Sequence, residues 1–138
     1  KYDPDTPVVN DKLICLKNDR DLGIFNGGMF TLEQILTSKY KTNFMHMRLQ
    51  SDDEDALPAI VKVHKSLFMD NVQKPDWKML KGSQEFDYAY ALSVHKAQGS
   101  QFCTGVIYDE SFCFRDDWWR WLYTGVTRFS DKLILVKN

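Results

Sequence analysis

Residues 88–102 read YAYALSVHKAQGSQF, and residues 121–130 read WLYTGVTRFS. The first stretch begins as an apolar, aromatic run of strand length and changes abruptly to a small polar cluster, Ser93, His95, Lys96, Gln98, Gly99 and Gln101. That is the pattern of a buried strand handing its chain to a working loop. The second stretch places Thr127 and Arg128 at the end of an apolar helical pattern, followed by another apolar run, LILV at 133–136. An arginine there can reach a phosphate. Taken alone, it could equally satisfy the last helix carbonyls and the helix dipole.

Composition bounds the reading. With 43% hydrophobic and 14% aromatic content in 138 residues, the chain can bury a real core, as one domain or two small ones. Its 18 basic and 19 acidic residues leave a formal net charge of -1, so no global basic field announces a nucleic-acid partner and any such contact must be local. Cys15, Cys103 and Cys113 are odd in number, lack metal-ligand spacing and sit in apolar surroundings, which suits reduced thiols in an intracellular protein. No signal peptide or membrane span is visible. A start at Lys1 without an initiator Met fits a fragment of something longer, although processing or tag removal would look the same.

Outward from the two stretches, residues 1–7 are a polar lead containing proline. Residues 12–17 read as a strand, 18–21 as a turn, 22–25 as a second strand, and Asn26-Gly27-Gly28 as a tight turn needing positive φ. Residues 29–36 suit a third strand or a short helix, 40–49 alternate imperfectly, the acidic SDDED at 51–55 marks a hairpin tip, and 60–64 resume as a strand. Short strands joined by turns predict a small antiparallel barrel. Residues 65–81 mix Phe68, Trp77 and Met79 with Lys74, Lys78 and Lys81 around Pro75, as a helix followed by a loop. Such a segment suits either a solvated connector or a groove for single-stranded nucleic acid. Gly82 and Ser83 mark a boundary between residues 1–82 and an α/β part at 83–138.

SVHKAQGSQF followed by WLYTGVTRFSDKLILV resembles the last two conserved blocks of superfamily 1 helicases, in the branch containing the RecD-like and phage Dda-like 5′-to-3′ enzymes. The segment KLICLKNDRDLGIFNGGMF resembles the opening of the SH3-like insertion carried by the second motor domain of that branch. The resemblance implies part of a RecA-like α/β motor domain carrying an SH3-like antiparallel β-barrel. It implies that Ser93 and His95 contact the backbone of single-stranded DNA, that Lys96 and Gln98 hold the loop between DNA and nucleotide, and that Gly99 lets the backbone approach that site. It further implies that Gln101 lies near the ribose of ATP and that Arg128 reaches the γ-phosphate. Two positions depart from the pattern: Cys103 stands where relatives often have Asp or Asn, and Phe129 where a small residue is common. The implied partners are single-stranded DNA, duplex junctions and an N-terminal motor domain that would carry the phosphate loop and the ligands of Mg²⁺. The implied location is the cytoplasm of a bacterial or phage-infected cell.

Physical logic runs beside the resemblance. A departing γ-phosphate carries spreading negative charge, and a guanidinium supplied across a cleft stabilises that charge only when the two halves close. Closure would then move a DNA grip carried on the same loop. Nowhere does G-x-x-x-x-G-K-[ST] occur, so one wall of an ATP site is expected here, with no metal ligand and no hydrolysis by these residues alone. VIYDE at 106–110 has the shape of a magnesium-binding block but follows the glutamine-glycine loop, so Asp109 and Glu110 read as a strand-end turn. Cys103 and His95 lack the third group a nucleophile-base pair needs. Trp118, Trp119, Trp121 and Tyr123 read as a helix packed mostly into a core, with Trp119 the most exposed. The rival function is a non-enzymatic barrel that binds nucleic acid or protein on an α/β scaffold.

Overall fold

The computed structural model describes residues 6–36, 42–53, 55–69 and 75–137. The chain divides into two compact units, Lys1–Ala91 and Leu92–Asn138. Tyr40, Glu54 and Lys74, which entered the expectations above, lie outside the described residues.

In the first unit alternation dictates the sheet. Strands β1 (Lys12–Cys15), β2 (Met29–Leu36), β3 (Phe44–Ser51), β4 (Ala59–His64) and β5 (Phe86–Tyr88) pair in the order β4-β3-β2-β1-β5, antiparallel throughout. Every second residue points inward, so Leu13 and Cys15, Phe30 and Leu32, Met45, Met47 and Leu49, and Ala59, Val61 and Val63 share one core. Phe86 joins it from β5, its ring edge-on to Phe30 at 5.6 Å. A fully buried side chain of that size contributes about 1.5–3 kcal/mol. A one-residue register shift between Leu32 and Gln34 bends β2.

Several expectations are corrected here. The sheet does not close into a barrel by a continuous ladder. A single parallel bridge, Val63 to Gln84, reaches from β4 to the residues leading into β5. There the Gln84 N–H donates to the Lys62 carbonyl, and the Gln84 side chain adds to it by accepting from the Lys62 N–H at Oε1, both at 2.8 Å. The chain then leaves β4, because the next carbonyl, that of Glu85, accepts from Leu16 N–H on the β1 side. Residues 22–25 make no strand. Asp19 and Ile24 form a bridge whose turn is filled by the Asp19 carboxylate, which accepts from the Asp21 and Leu22 N–H groups. Gly27 takes the positive φ expected of its turn, +88°.

The boundary also moves. Phe86–Tyr88 is an edge strand of this antiparallel sheet, held on β1, and not the strand that opens the α/β part. The aromatic run beyond it is anchored in the same unit, since Tyr90 Oη donates to the buried Asp11 carboxylate at 2.8 Å. Residues 83–91 therefore belong with the first unit.

The second unit is a β-α-β element. Strand β6 (Phe102–Asp109) runs into 3-10 turns at Ser111–Asp117, then helix α1 (Trp118–Val126), then strand β7 (Phe129–Lys137), which lies parallel to β6. The parallel pairing requires a crossover connection, and α1 supplies it. Gly125 lets the helix sit close: a methyl there would come within 3.0 Å of Ile107 Cδ1 and 3.3 Å of Val94 Cγ2. Among the described residues no helix is long and apolar enough to cross a membrane.

Candidate functional site

Loop 93–101 and Arg128 meet at the amino ends of the two parallel strands. The loop coils into a short helical turn in which Ala97 N–H donates to the Ser93 carbonyl at 3.0 Å and Lys96 N–H donates to the Ser93 hydroxyl at 3.3 Å. Ser93 thus caps the turn, as serine does at helix starts. The turn ends at Gly99, whose φ of +91° is costly for any residue with a Cβ. Ser93, His95, Lys96, Gln98, Gly99 and Gln101 are all exposed, as residues that touch a ligand must be in its absence.

Arg128 is fixed from three directions. Its N–H donates to the Gly125 carbonyl at 3.1 Å, its carbonyl accepts from the Phe102 N–H at 2.8 Å, and its Nε donates to the Thr124 carbonyl at 3.2 Å. Nη2 lies 3.3 Å from the Thr127 hydroxyl, to which it donates. The bond to Phe102 joins the two sequence blocks, because Phe102 directly follows Gln101. The Nε bond is the helix-end role that an arginine in this position could fill by itself. A guanidinium carries five N–H donors, so two bonds orient the fork and leave donors for a phosphate.

A shallow cleft of about 210 Å³ opens beside the loop, lined by His95 and Gln98 on one side and by Phe114, Arg120, Trp121 and Thr124 on the other. Phe114 stacks on Trp121 with ring centres 5.8 Å apart, and the His95 ring tilts onto Phe114 at 5.9 Å. His95 is therefore held by an aromatic neighbour, and its polar edge is open to solvent. The tryptophan cluster departs from the expected core. Trp118, Trp119 and Tyr123 are 49%, 51% and 68% exposed, because α1 turns its Trp121, Leu122 and Gly125 side inward and only one short helix covers the strands.

The strand-end reading of Asp109 and Glu110 agrees with the geometry. The Asp109 carboxylate accepts from Ser111 N–H at 3.0 Å, and its hydrogen bonds to Ser111 hold its pKa below the usual carboxylate value. Among the described residues there is no group of three or more His, Cys, Asp or Glu that could hold a metal ion. In a complete nucleotide-binding α/β domain the phosphates sit outside the carboxyl ends of parallel strands, whereas Arg128 and Gly99 lie at the amino ends of β7 and β6. In the 65–81 segment Phe68 and Leu80 are buried, while Trp77 is 69% exposed with Lys78 Nζ 5.8 Å from its ring centre. Sequence reasoning missed Phe102 and Thr124, which act through backbone atoms and carry no signal in residue type, and Phe114, whose signal was an aromatic preceding the helix.

Residues 88–136 match the model of the UvrD-like helicase C-terminal domain. This part of the chain is thus similar to the C-terminal part of a superfamily 1 helicase, as the two blocks imply. No curated protein matches the chain. Among solved structures, one of two coordinating Pif1 helicases unwinding forked double-stranded DNA is 14% identical with a TM-score of 0.49, covering 93% of this chain and 27% of that one. Pif1 of Bacteroides sp in complex with ADP-AlF4 is 17% identical with a TM-score of 0.46, covering 94% of this chain and 29% of that one. The chain spans less than a third of the length of either.

Proposed function

We propose that this chain, whose C-terminal third is similar to the UvrD-like helicase C-terminal domain, is a C-terminal part of an ATP-dependent DNA helicase of the RecD-like and Dda-like branch. The observation that carries the reading is the 2.8 Å bond from Phe102 N–H to the Arg128 carbonyl, which ties the end of the 93–101 loop to the arginine. On this reading Ser93, His95, Lys96 and Gln98 grip the backbone of single-stranded DNA, while Gly99 and Gln101 approach the nucleotide. Arg128 completes an ATP site whose phosphate loop and magnesium ligands lie on another motor domain. ATP with its metal ion supplies the phosphoryl transfer. The residues of this chain orient and neutralise: the Thr124 carbonyl and Thr127 hydroxyl hold the guanidinium fork, and its remaining donors meet charge that develops in the transition state. Any strain that ATP binding places on Arg128 passes through one peptide hydrogen bond to the DNA-gripping loop, which is the coupling a translocase needs. Contacts to DNA backbone suffice, since translocation ignores sequence.

The five-stranded unit serves on this reading as the insertion of the second motor domain, an open antiparallel sheet whose β4 side meets the residues before β5 through the single Val63 to Gln84 bridge. The face of the parallel pair that carries Val106, Tyr108 and Ile134 is exposed, and Leu135 on the helix side is only partly covered. Parallel sheets occur with both faces covered, which supports further strands and helices of a motor domain around β6 and β7. The rival, a binding module without hydrolysis, draws support from the Nε bond of Arg128 to its own helix end. Arg128→Ala in the full-length protein separates the two. The helicase reading predicts strand-stimulated hydrolysis that falls by about 10³-fold or more with DNA binding retained, the range seen for arginine fingers; the rival predicts no hydrolysis in the parent.

A further inference from the structure

Phe129, the residue after Arg128, has its ring laid over the backbone of Gly105. A Cβ built on Gly105 would overlap Cε1 of that ring and lie 2.8 Å from Cζ and 3.1 Å from Cδ1. Flexible side-chain ends can yield to a methyl, but this ring has little freedom. It also meets Phe102, with ring centres 5.7 Å apart and planes at 33°. Phe102 in turn gives its N–H to the Arg128 carbonyl. Phe102, Gly105 and Phe129 therefore form a keyed contact around the peptide that carries Arg128, and a register shift between Phe102 and Thr104 gives β7 one extra residue there.

We infer that Gly105 and Phe129 are a positioning pair for Arg128: the glycine leaves the seat, the ring occupies it, and the arginine's backbone is thereby set before any phosphate arrives. The inference rests on the reading of Arg128 given above. A guanidinium that acts on a transition state must be held within a fraction of an ångström, since small misplacements cost large factors in rate. Arg128 has anchors for its N–H, its carbonyl and its Nε, and the Phe129 ring is what fixes the chain immediately beyond them. Gly105 touches neither nucleotide nor DNA on this account.

The pair predicts an order of effects that simple packing does not. Gly105→Ala unseats the ring and pushes the 128–129 peptide away. Phe129→Ala merely removes the ring. A displaced key is worse than an absent one. In the full-length protein with saturating single-stranded DNA, we expect Gly105→Ala to lower kcat for ATP about tenfold or more, with KM for ATP within about twofold, the signature of a contact made in the transition state. Phe129→Ala should lower kcat about threefold, and adding it to Gly105→Ala should bring the double variant back to the Phe129→Ala level, a non-additivity expected of residues in contact. Turnover is expressed per folded molecule, with thermal melts and DNA affinity measured on the same samples. Gly105→Ala with wild-type kcat, or a double variant no faster than Gly105→Ala, overturns the inference. If Gly105→Ala does not fold, Phe129→Ala and Phe129→Leu read by themselves decide, and a wild-type kcat in both overturns the inference. Turnover indifferent to Arg128→Ala removes the reading on which the pair rests, whereas an inactive Arg128→Ala beside a fully active Gly105→Ala overturns the pair alone.

Discussion

In the first unit Leu13, Leu32, Met47, Leu49, Val61, Val63 and Phe86 are wholly withdrawn from solvent, while in the second Ile107 is the single buried apolar strand residue among those described, and Val106, Tyr108, Ile134 and Leu135 are 37–69% exposed. Both units are built from strands rich in apolar residues, so composition does not explain the contrast. Pairing does. Five antiparallel strands turn one face onto a common core and leave the other to solvent, whereas two parallel strands with one helix leave one apolar face open and the other only partly covered. The first unit carries a core of its own, and the second presents its loop and its arginine at one end of a two-stranded sheet.

The contrast can be broken by core truncation. Phe86→Ala should destabilise the first unit by about 3–5 kcal/mol, the cost of removing a buried aromatic, and residues 6–91 produced alone should unfold cooperatively in urea while residues 92–137 alone should not. A cooperative transition from the second piece would refute the comparison. A smaller loss, about 1–2 kcal/mol, is expected for Gln84→Ala, because the Gln84 side chain satisfies both Lys62 N–H and the Asp19 carboxylate. The hydrogen bond from Gln84, followed by that from Leu22 N–H, holds the Asp19 pKa below its ordinary value. A depressed carboxyl contributes stability above its unfolded pKa of about 3.9 and loses it as pH falls through the lower folded value. Denaturant midpoints of wild type and Gln84→Ala should therefore draw closer below about pH 4; a gap unchanged at pH 3 would remove this account of Asp19.

Strands β1 and β4 were legible as strands, while β2 was left open between a strand and a short helix and β3 gave only an imperfect alternation, because alternation of inward and outward residues is a local signal that a bulge or an added polar residue blurs. The run at 88–92 was not, although its composition says strand, because which sheet a strand joins is a long-range matter. Here Phe86–Tyr88 finds β1 and Tyr90 finds Asp11, partners more than 70 residues away in sequence. Similar reasons hid the exposure of Trp118 and Trp119: an apolar stripe shows that a helix has a face to bury, not that these residues supply what buries it. The site divides the same way. Ser93, His95, Gln98, Gly99 and Arg128 stood out by type and spacing, whereas the bond from Phe102 to Arg128 uses backbone atoms that every residue has.

Gly99 sharpens the site half of the comparison. With φ at +91° and no atom within 4 Å of a built Cβ, Gly99→Ala meets only backbone strain, about 1–2 kcal/mol. Its effect should appear as weaker single-strand binding with little change in the denaturation of the first unit; unchanged DNA affinity would detach the loop from the grip assigned to it. The smallest effect is chemical. Cys15 is buried and its thiol donates to the Lys17 carbonyl at 3.0 Å, and burial raises its pKa. Alkylation of the native protein at pH 8, read by peptide mass spectrometry, should modify the exposed Cys103 and Cys113 and spare Cys15 until the first unit unfolds. Equal labelling of all three would show that the first core opens as readily as the second unit.

Hydrolysis of ATP by the full-length protein, with and without single-stranded DNA and with Arg128 intact or replaced by alanine, tests the central claim most directly. The account predicts strand-stimulated turnover in the wild type, its loss by about three orders of magnitude in Arg128→Ala, and DNA affinity within about twofold in both, since backbone contacts are supplied by the loop. A wild type without hydrolysis, or turnover that ignores Arg128, would contradict it.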